Sequence, residues 1–326
     1  MKKFFVVAIA LALVCASMVT YWAYQPITGA GTAPIAFAIK PGSGVRSSAE
    51  QISAAGVPVN PTLLHLLARL SGKSMKLKAG NYELKPGTTP IALIDQLVRG
   101  EFAQEALVII EGWTFRQMRQ AIDAHPALRH DTAGLSDKEL LAKLESDYKA
   151  AEGLFFPDTY LFAKGASDIQ IYRQAHSLML RRLEEAWGRR PPGLPYKTPY
   201  EALIMASIIE KETGQKSERN MIAAVFVNRL KRGMLLQTDP TVIYGMGDAF
   251  KGNIRKKDLE TDTPYNTYVR AGLPPTPIAL PGAESINAAL NPATADVLYF
   301  VSRGNGTSEF NNNLADHNRA VNKYQR

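Results

Sequence analysis

The sequence predicts an α+β protein, and three stretches of the chain carry this prediction. Residues 35–99 alternate short β-type runs with short amphipathic helices, residues 105–326 mix short strands with longer helices, and residues 200–214 form an apolar, buried helix. An uncharged apolar run precedes all of them at residues 4–24. We therefore divide the chain into an anchor segment at 1–24, a linker and small module at 25–104, and a mixed α/β domain at 105–326.

Composition narrows the classes of function. The 326 residues suffice for two domains, and the net charge of +8 favours an anionic membrane surface or an acidic polymer as partner. Neither a helix-turn-helix nor an aromatic and basic RNA motif is present, so we expect no nucleic acid partner. The chain lacks phosphate-binding and dinucleotide-binding glycine motifs, and its five histidines lack the spacing of metal ligands, so we expect no cofactor and no metal.

The N-terminal run from Phe4 to Tyr24 has the length of a single membrane-spanning helix, which needs about 20 apolar residues. Two lysines precede it and an aromatic cluster ends it, which places the N-terminus in the cytoplasm and the remaining chain outside. One alternative is a signal peptide cleaved near Cys15-Ala16-Ser17, and another is a lipoprotein modified at Cys15. All three interpretations export the rest of the chain, in which no cysteine remains to form a disulfide.

Residues 25–104 predict a linker followed by a small module. The predicted order is a strand at Ile35–Ile39, helices at Val45–Ala55 and Pro61–Leu70, a strand ending at Leu84 and a helix at Thr89–Arg99. This order and size resemble a LysM-like glycan-binding unit. The alternative is a spacer that lifts the next domain off the membrane.

The larger domain shows helix and strand signals along most of its length. Two of its helices begin with capping residues, at Thr114 and at the capping box Ser136 to Glu139. The predicted elements are a strand at Ala106–Ile110, helices at Thr114–Ala124, Ser136–Tyr148, Ile169–Trp187 and Asn220–Leu230, a strand at Val297–Ser302 and a helix at Leu314–Tyr324. Residues 233–281 are rich in Gly, Pro and Asn and predict loops.

The helix at Tyr200–Gly214 is the most informative segment. Thr198-Pro199 is a helix start, and Glu210 closes a long apolar run. An apolar environment raises the pKa of a carboxyl group, which is what a general acid needs near neutral pH. Ser207 and Ala206 lie on the same face and predict room for a substrate above it. The alternative is a solvated helix end, with Lys211 and Lys216 as ion partners of Glu210 and Glu212.

Three further stretches combine aromatic, amide and carboxyl side chains in the way that sugar-binding clefts do. Each also has a purely structural interpretation: a turn anchored by core phenylalanines, an N-cap at Asp239 before a proline, and an ordered surface loop. The candidate residues are Glu152, Asp158 and Tyr160 in the first stretch, Gln237 and Asp239 in the second, and Tyr265, Asn266 and Tyr268 in the third.

From Ala206 to Thr213 the chain reads ASIIEKET, and this motif resembles the endolytic murein transglycosylases, the MltG or YceG-like family. The resemblance continues in order through GLFFPDTY, NRL, LQTDPTVIYG, PYNTY, GLPPTPI and the C-terminal NLADHN, and so covers nearly all of residues 105–326. One departure is visible: Gly306-Thr307-Ser308-Glu309-Phe310 stands where the family usually has Gly-Gly-His before the phenylalanine.

The resemblance implies a single-pass inner-membrane enzyme with its catalytic domain on the periplasmic side. It implies cleavage of nascent peptidoglycan strands at the β-1,4 bond after N-acetylmuramic acid, leaving 1,6-anhydro ends, with peptidoglycan synthases as partners. The catalytic glutamate of the family falls on Glu210. The candidates for substrate binding are Glu152, Asp158, Tyr160, Glu212, Asn228, Gln237, Asp239, Tyr265, Asn266 and Tyr268.

Two other functions stay open from the sequence. The first is a muramidase that hydrolyses the same strands with Glu210 and a second carboxylate, Asp158 or Asp239. The second is a membrane-anchored scaffold that binds the cell wall without cutting it. The chemistry of the product ends separates the two enzymes, and the effect of replacing Glu210 separates both from a scaffold.

Overall fold

A computed structural model of the chain describes residues 2–212 and 215–325, except for the side chains at 2, 3, 5, 8, 12 and 15. Within these residues the chain folds into helices and small two-stranded sheets, which confirms the α+β class. The chain divides into two compact units. The first comprises Met1–Glu105 and Leu161–Gly165, and the second comprises Ala106–Tyr160 and Ala166–Arg326.

The first helix, α1, covers Lys2–Ala23. Several of its apolar side chains are strongly exposed, among them Phe4, Leu13 and Met18. In the part of the chain that the structure describes, no helix combines the length and the hydropathy that a membrane crossing needs. The anchor expected over Phe4–Tyr24 coincides with α1 and stays a prediction.

The rest of the first unit has the predicted order of elements. These are β1 (Ile35–Ile39), α2 (Val45–Ala54), α3 (Pro61–Leu70), β2 (Gly80–Leu84) and α4 (Pro90–Arg99). The strands β1 and β2 pair antiparallel, and the rings of Phe37 and Tyr82 stack across the pair at 5.5 Å. Asn60 and Thr89 cap α3 and α4 with side-chain oxygens that accept backbone N–H groups, and each is followed by proline at the first helical position.

The remaining elements lie in the second unit, except that β3 and β4 belong partly to the first, and short 3₁₀ turns lie at 216–218 and 247–249. In chain order they are β3 (Gln104–Val108), α5 (Phe115–Asp123), α6 (Asp137–Lys143), β4 (Thr159–Ala163), α7 (Asp168–Gly188), α8 (Pro199–Glu212), α9 (Arg219–Lys231), α10 (Asp239–Met246), α11 (Lys256–Glu260), α12 (Ala283–Leu290), β5 (Tyr299–Ser302), β6 (Ser308–Asn311) and α13 (Leu314–Tyr324). The boundary between the units falls within β3 and β4, which pair with each other.

The centre of the second unit is α8, as the sequence predicts. Every side chain from Ala202 to Ile209 is buried, and α9 and α12 pack against the helix. Because α8 is apolar on all sides, its stability comes from burial rather than from an amphipathic face. The expected helix stop at Gly214 lies outside the described residues.

Several predicted boundaries differ from the structure. The helix expected at Ser136–Tyr148 keeps its capping box but ends at Lys143, and Glu145 after it has a left-handed φ of 56°. The strand expected at Ala106–Ile110 begins two residues earlier, and its side chains alternate between buried Leu107 and exposed Val108 instead of being buried throughout. The region expected to be loop contains α10 and α11, and the sequence does not predict β4, α12 or β6.

Candidate functional site

The last turn of α8 holds Glu210 in a buried ion pair. Its Oε1 accepts a hydrogen bond from Nη2 of Arg219 at 3.0 Å, and both side chains are only 5% exposed. Its Oε2 accepts the backbone N–H of Gly282 at 2.9 Å. Both oxygens are therefore held by N–H donors, one of them charged, and charge-assisted bonds of this kind are stronger than neutral ones.

Two glycine-containing segments enclose Glu210. The backbone of Gly112 and Trp113 pairs with Leu280 through hydrogen bonds of 2.9 and 2.7 Å. A Cβ added at Gly112 would contact Cγ of Glu210, and one added at Gly282 would collide with the carboxyl group of Glu111. Glycine is thus required at 112 for its left-handed φ of 78° and at 282 for the space that the Glu111 carboxyl group occupies.

The face of α8 beside Glu210 differs from its prediction. Ala206 and Ser207 are fully buried, and the hydroxyl of Ser207 accepts the N–H of Ile278 at 3.0 Å. Other parts of the chain pack on these small residues, so the space for a substrate that the sequence predicts here is absent. The alternative of a solvated helix end is also wrong for Glu210, since Arg219 is its ion partner and Lys211 donates instead to the carbonyl of Gly112 at 3.3 Å.

Glu212 lies about 200° around the helix from Glu210 and has different surroundings. It lines a cavity of about 530 Å³ and accepts a hydrogen bond from the hydroxyl of Thr238. Burial raises its pKa to about 7, against 4.5 for an ordinary glutamate. This carboxyl group is therefore largely protonated below neutral pH.

The cavity beside Glu212 collects three more of the predicted substrate-binding residues. Gln237 accepts a hydrogen bond from Arg229 at 3.2 Å, and Tyr268 donates to Asp239 at 2.5 Å. Arg229 is buried, donates to the carbonyl of Leu298 at 2.7 Å, and has a pKa lowered by its burial. Further lining residues are Tyr299, His317 and Asn318. Aromatic faces and hydrogen-bonding groups thus meet around one open volume.

A second cavity, of about 460 Å³, collects Glu152 and Tyr265. Glu152 accepts the N–H of Phe115 at 2.9 Å and the hydroxyl of Tyr244 at 3.0 Å. Burial raises its pKa to about 7 in spite of these donors. Tyr265 packs edge-on against Tyr244 and shares a hydrogen bond of 2.9 Å with Thr276.

Four predicted site residues use their polar groups on their own chain. Asn228 donates to two carbonyls of the 295–297 segment, and fully buried Asn266 donates to three carbonyls of residues 258–261. Tyr160 is buried and donates to the carbonyl of Phe156. Asp158 is exposed, accepts the N–H of Thr159 and lines neither cavity. Their amide, hydroxyl and carboxyl groups hold loops in place.

The sequence does not predict Arg219 and Gly282 as hydrogen-bond partners of Glu210. Arg219 opens α9, but nothing in its spacing from Glu210 indicates contact across the connecting turn. Gly282 precedes α12, a helix that was itself not predicted. The only signal for Arg219 was its position as a charged residue at the start of a buried apolar helix, where it is 4% exposed.

The chain is similar to proteins of one family. The model of the YceG-like family matches residues 37–323. A protein of Bacillus subtilis (strain 168), named endolytic murein transglycosylase, is 34% identical over an alignment of 264 positions that covers 76% of this chain and 73% of that protein. One of the same name from Streptococcus pneumoniae serotype 2 (strain D39) is 27% identical over an alignment of 360 positions, gaps included, that covers 98% of this chain but 65% of the pneumococcal protein.

A solved structure gives a similar result. The crystal structure of a yceG-like protein from Listeria monocytogenes aligns with 89% of this chain and 99% of its own, with a TM-score of 0.57 and 32% sequence identity. The similarity thus extends over both compact units of the chain.

Proposed function

The chain belongs to the YceG-like family, and from this membership and the geometry around Glu210 we propose that it is an endolytic murein transglycosylase, an enzyme that cuts within peptidoglycan glycan strands. The observation that carries the proposal is the setting of Glu210. It ends a buried helix and is held at both oxygens by Arg219 and the N–H of Gly282. Such a fixed carboxyl group is what proton transfer at a glycosidic bond requires.

The reaction that we propose needs one carboxyl group and no water. The reaction starts from the neutral acid form of Glu210, so a proton must first reach the carboxylate that pairs with Arg219. Glu210 then gives this proton to the glycosidic oxygen as the bond between that oxygen and the anomeric carbon of N-acetylmuramic acid breaks. The C6 hydroxyl of the same sugar attacks the anomeric carbon, and its proton passes to the Glu210 carboxylate. The product end is 1,6-anhydro-N-acetylmuramic acid. Because the nucleophile belongs to the substrate, its effective concentration is high, which lessens the need for a second carboxylate.

Arg219 and Gly282 suit the charge changes of this reaction. Proton donation leaves Glu210 negatively charged, and a guanidinium at 3.0 Å with a backbone N–H at 2.9 Å stabilises that charge without rearrangement. The muramidase alternative needs a second carboxylate. Asp158 is exposed and accepts the N–H of Thr159, and Asp239 accepts the hydroxyl of Tyr268, so neither is favoured for that role.

We assign sugar binding to the two cavities. The 530 Å³ cavity offers the side chains of Glu212, Gln237, Asp239 and Tyr268, and the 460 Å³ cavity offers Glu152 and Tyr265. Aromatic rings contact the faces of sugars, and amide and carboxyl groups bind their hydroxyls. These residues are better candidates for sugar binding than four others, because the polar groups of those four already bond to backbone groups of the chain. The four are Asn228, Asn266, Tyr160 and Asp158.

The location that we propose is the inner membrane, with Phe4–Tyr24 as an uncleaved anchor in the bilayer and residues 25–326 on the periplasmic side. The exposed apolar side chains of α1 and the net charge of +8 support this location, since lipid headgroups and peptidoglycan stem peptides are acidic. Residues 25–104 then form a LysM-like module with a cavity of its own, of about 550 Å³, lined by Lys85, Gln96 and Phe102. Peptidoglycan synthases are the partners that the family resemblance implies.

The test is a digest of purified, uncross-linked glycan strands, with the product ends identified by mass. We expect 1,6-anhydro ends from the wild-type chain and a rate lower by about 10²–10⁴-fold for Glu210→Gln, which is the usual contribution of a general acid or base. Glu185→Gln, at an exposed glutamate of α7, is the matched control and should keep full activity. Reducing ends would make the protein a hydrolase, and no cleavage by wild type would favour the scaffold.

A further inference from the structure

A polar cluster lies outside both cavities, where α5 ends and α7 begins. Asp123 is the last residue of α5, His130 lies in the loop that follows, and Asp168 is the first residue of α7. One oxygen of each carboxyl group and one ring nitrogen of His130 lie within 4.8 Å of one another. Three side chains that commonly bind metals thus converge from three segments of the second unit.

Asp168 is the unusual member of the cluster because it is fully buried. Its Oδ2 accepts both the N–H and the hydroxyl of Thr132, at 3.1 and 2.6 Å, whereas its buried Oδ1 has no hydrogen-bond partner. A buried carboxylate oxygen without a partner is costly. The N-terminus of α7 offsets part of this cost through its dipole, but it supplies no donor to Oδ1.

A second unpartnered atom lies one helical turn further along α7. The hydroxyl of Tyr172, which is also fully buried, has no hydrogen-bond partner. Residues four apart in a helix lie on the same face, so Tyr172 and Asp168 are neighbours. Because the hydroxyl of Thr132 lies close enough to interact with that of Tyr172, Oδ1 of Asp168 is the atom on this buried face that a ligand from outside the chain would complete.

Contrary to the expectation from the spacing of the histidines, we propose that Asp123, His130 and Asp168 bind a zinc ion. An imidazole nitrogen together with two carboxylates suits zinc, whereas magnesium and calcium prefer oxygen donors alone. At metal–ligand distances of about 2.0–2.2 Å the three donor atoms would lie about 3.4 Å apart. Asp123 and His130 are exposed and free to close that gap by small side-chain rotations, while Thr132 orients the Asp168 carboxyl group.

The bound zinc would be structural. It would connect the end of α5, the following loop and the start of α7, which are already joined by hydrogen bonds from Arg129 to Ala166 and from Asp168 to Arg129. A ligand that binds only the folded chain raises its stability by mass action. The site takes no part in the chemistry proposed for Glu210, so the rate of glycan cleavage should not change with zinc.

The test is calorimetric titration of the untagged, chelator-treated full chain with zinc chloride, together with thermal melts. We expect one saturable site per chain and a higher melting temperature with zinc. His130→Ala and Asp123→Asn replace exposed residues and should fold, but each should weaken zinc binding by at least about 10-fold.

The matched controls are His65→Ala and Asp147→Asn, which change the same residue types outside the cluster. They should bind zinc like the wild-type chain. The proposal is overturned if no saturable binding occurs, if His130→Ala and Asp123→Asn bind as tightly as wild type, or if the controls lose affinity equally. The last result would indicate scattered surface binding.

Discussion

Glu210 and Glu212 lie two residues apart on the same helix, yet the structure gives them opposite surroundings. Glu210 is enclosed by backbone and held by a guanidinium and an N–H group. Glu212 has a single hydroxyl donor, lines an open cavity and has a pKa raised to about 7 by burial. Both follow the same apolar run, so the helix alone does not determine how either carboxyl group behaves.

The difference comes from partners that other segments supply. Arg219 belongs to the helix after α8, and Gly282 lies 72 positions beyond Glu210. Thr238 approaches Glu212 from the start of α10. A charged donor stabilises a carboxylate, whereas a neutral hydroxyl leaves the cost of desolvation uncompensated. The comparison therefore teaches that the fold divides the last turn of α8 into a charged side and a neutral side.

The largest effect should come from removing the charged partner of Glu210. Arg219→Met leaves a buried carboxylate without its cation, which typically costs about 3–5 kcal/mol of stability. The double variant Arg219→Met with Glu210→Gln carries neither charge of this pair and should recover most of that loss. The measurement is the free energy of unfolding in denaturant for both variants and wild type.

Arg181→Met is the control for this comparison, since Arg181 is an exposed arginine of α7. It should change the free energy of unfolding by no more than about 0.5 kcal/mol. If Arg219→Met is as mild as Arg181→Met, or if the double variant is no more stable than the single one, the ion pair does not distinguish the two carboxyl groups.

A smaller effect should appear in the pH dependence of stability through Glu212. Its pKa is about 7 in the folded chain against 4.5 for an ordinary glutamate, so between these values the folded state binds more protons than the unfolded state. Stability should therefore fall as the pH rises from about 4.5 to about 7. The contribution of this one group is at most about 3 kcal/mol. Glu212→Gln should remove it, measured as unfolding free energies across that range.

Glu152 sharpens this test because its pKa is raised to the same value by the same cause. Glu152→Gln should remove a similar part of the pH dependence, and the double variant should remove both parts. Glu185→Gln, at an exposed site, should leave the pH dependence of the unfolding free energy as in wild type. If Glu212→Gln also leaves this pH dependence unchanged, Glu212 is not buried in a neutral environment.

Much of the fold could be predicted because its signals are local. The caps at Thr114 and Ser136 and the proline at the start of α8 mark helix beginnings within a few residues. The apolar run of α8 predicted burial on all sides. The sequence does not predict α12, which is only eight residues long and lies between Pro281 and the Asn291-Pro292 turn. Over so few residues the helical spacing of apolar side chains is hard to distinguish from the composition of a loop.

The site was less predictable because its contacts join distant segments. The sequence predicts Glu210 as the catalytic residue and predicts open space beside it, but the small residues at 206 and 207 do not reveal what packs on them. Asn228 and Asn266 have the side chains that sugars favour, yet their donors satisfy backbone carbonyls that would otherwise be buried without partners. Side-chain type is readable from sequence, whereas its hydrogen-bond partner is not.

The smallest effect should come from Ser308, where the chain departs from the family pattern. Its N–H and hydroxyl donate to the two oxygens of Glu218 at 2.7 and 2.8 Å, and Glu218 directly precedes Arg219. Ser308→Ala keeps the N–H bond and loses one hydroxyl bond, so we expect a loss of about 1 kcal/mol in unfolding free energy. Ser302→Ala, opposite Ser308 in the β5–β6 pair, is the control and should cost less. Because Ser308 reaches Glu210 only through Glu218 and Arg219, a loss of cleavage in Ser308→Ala as large as in Glu210→Gln would mean that β6, and not α9, determines the charged side of α8.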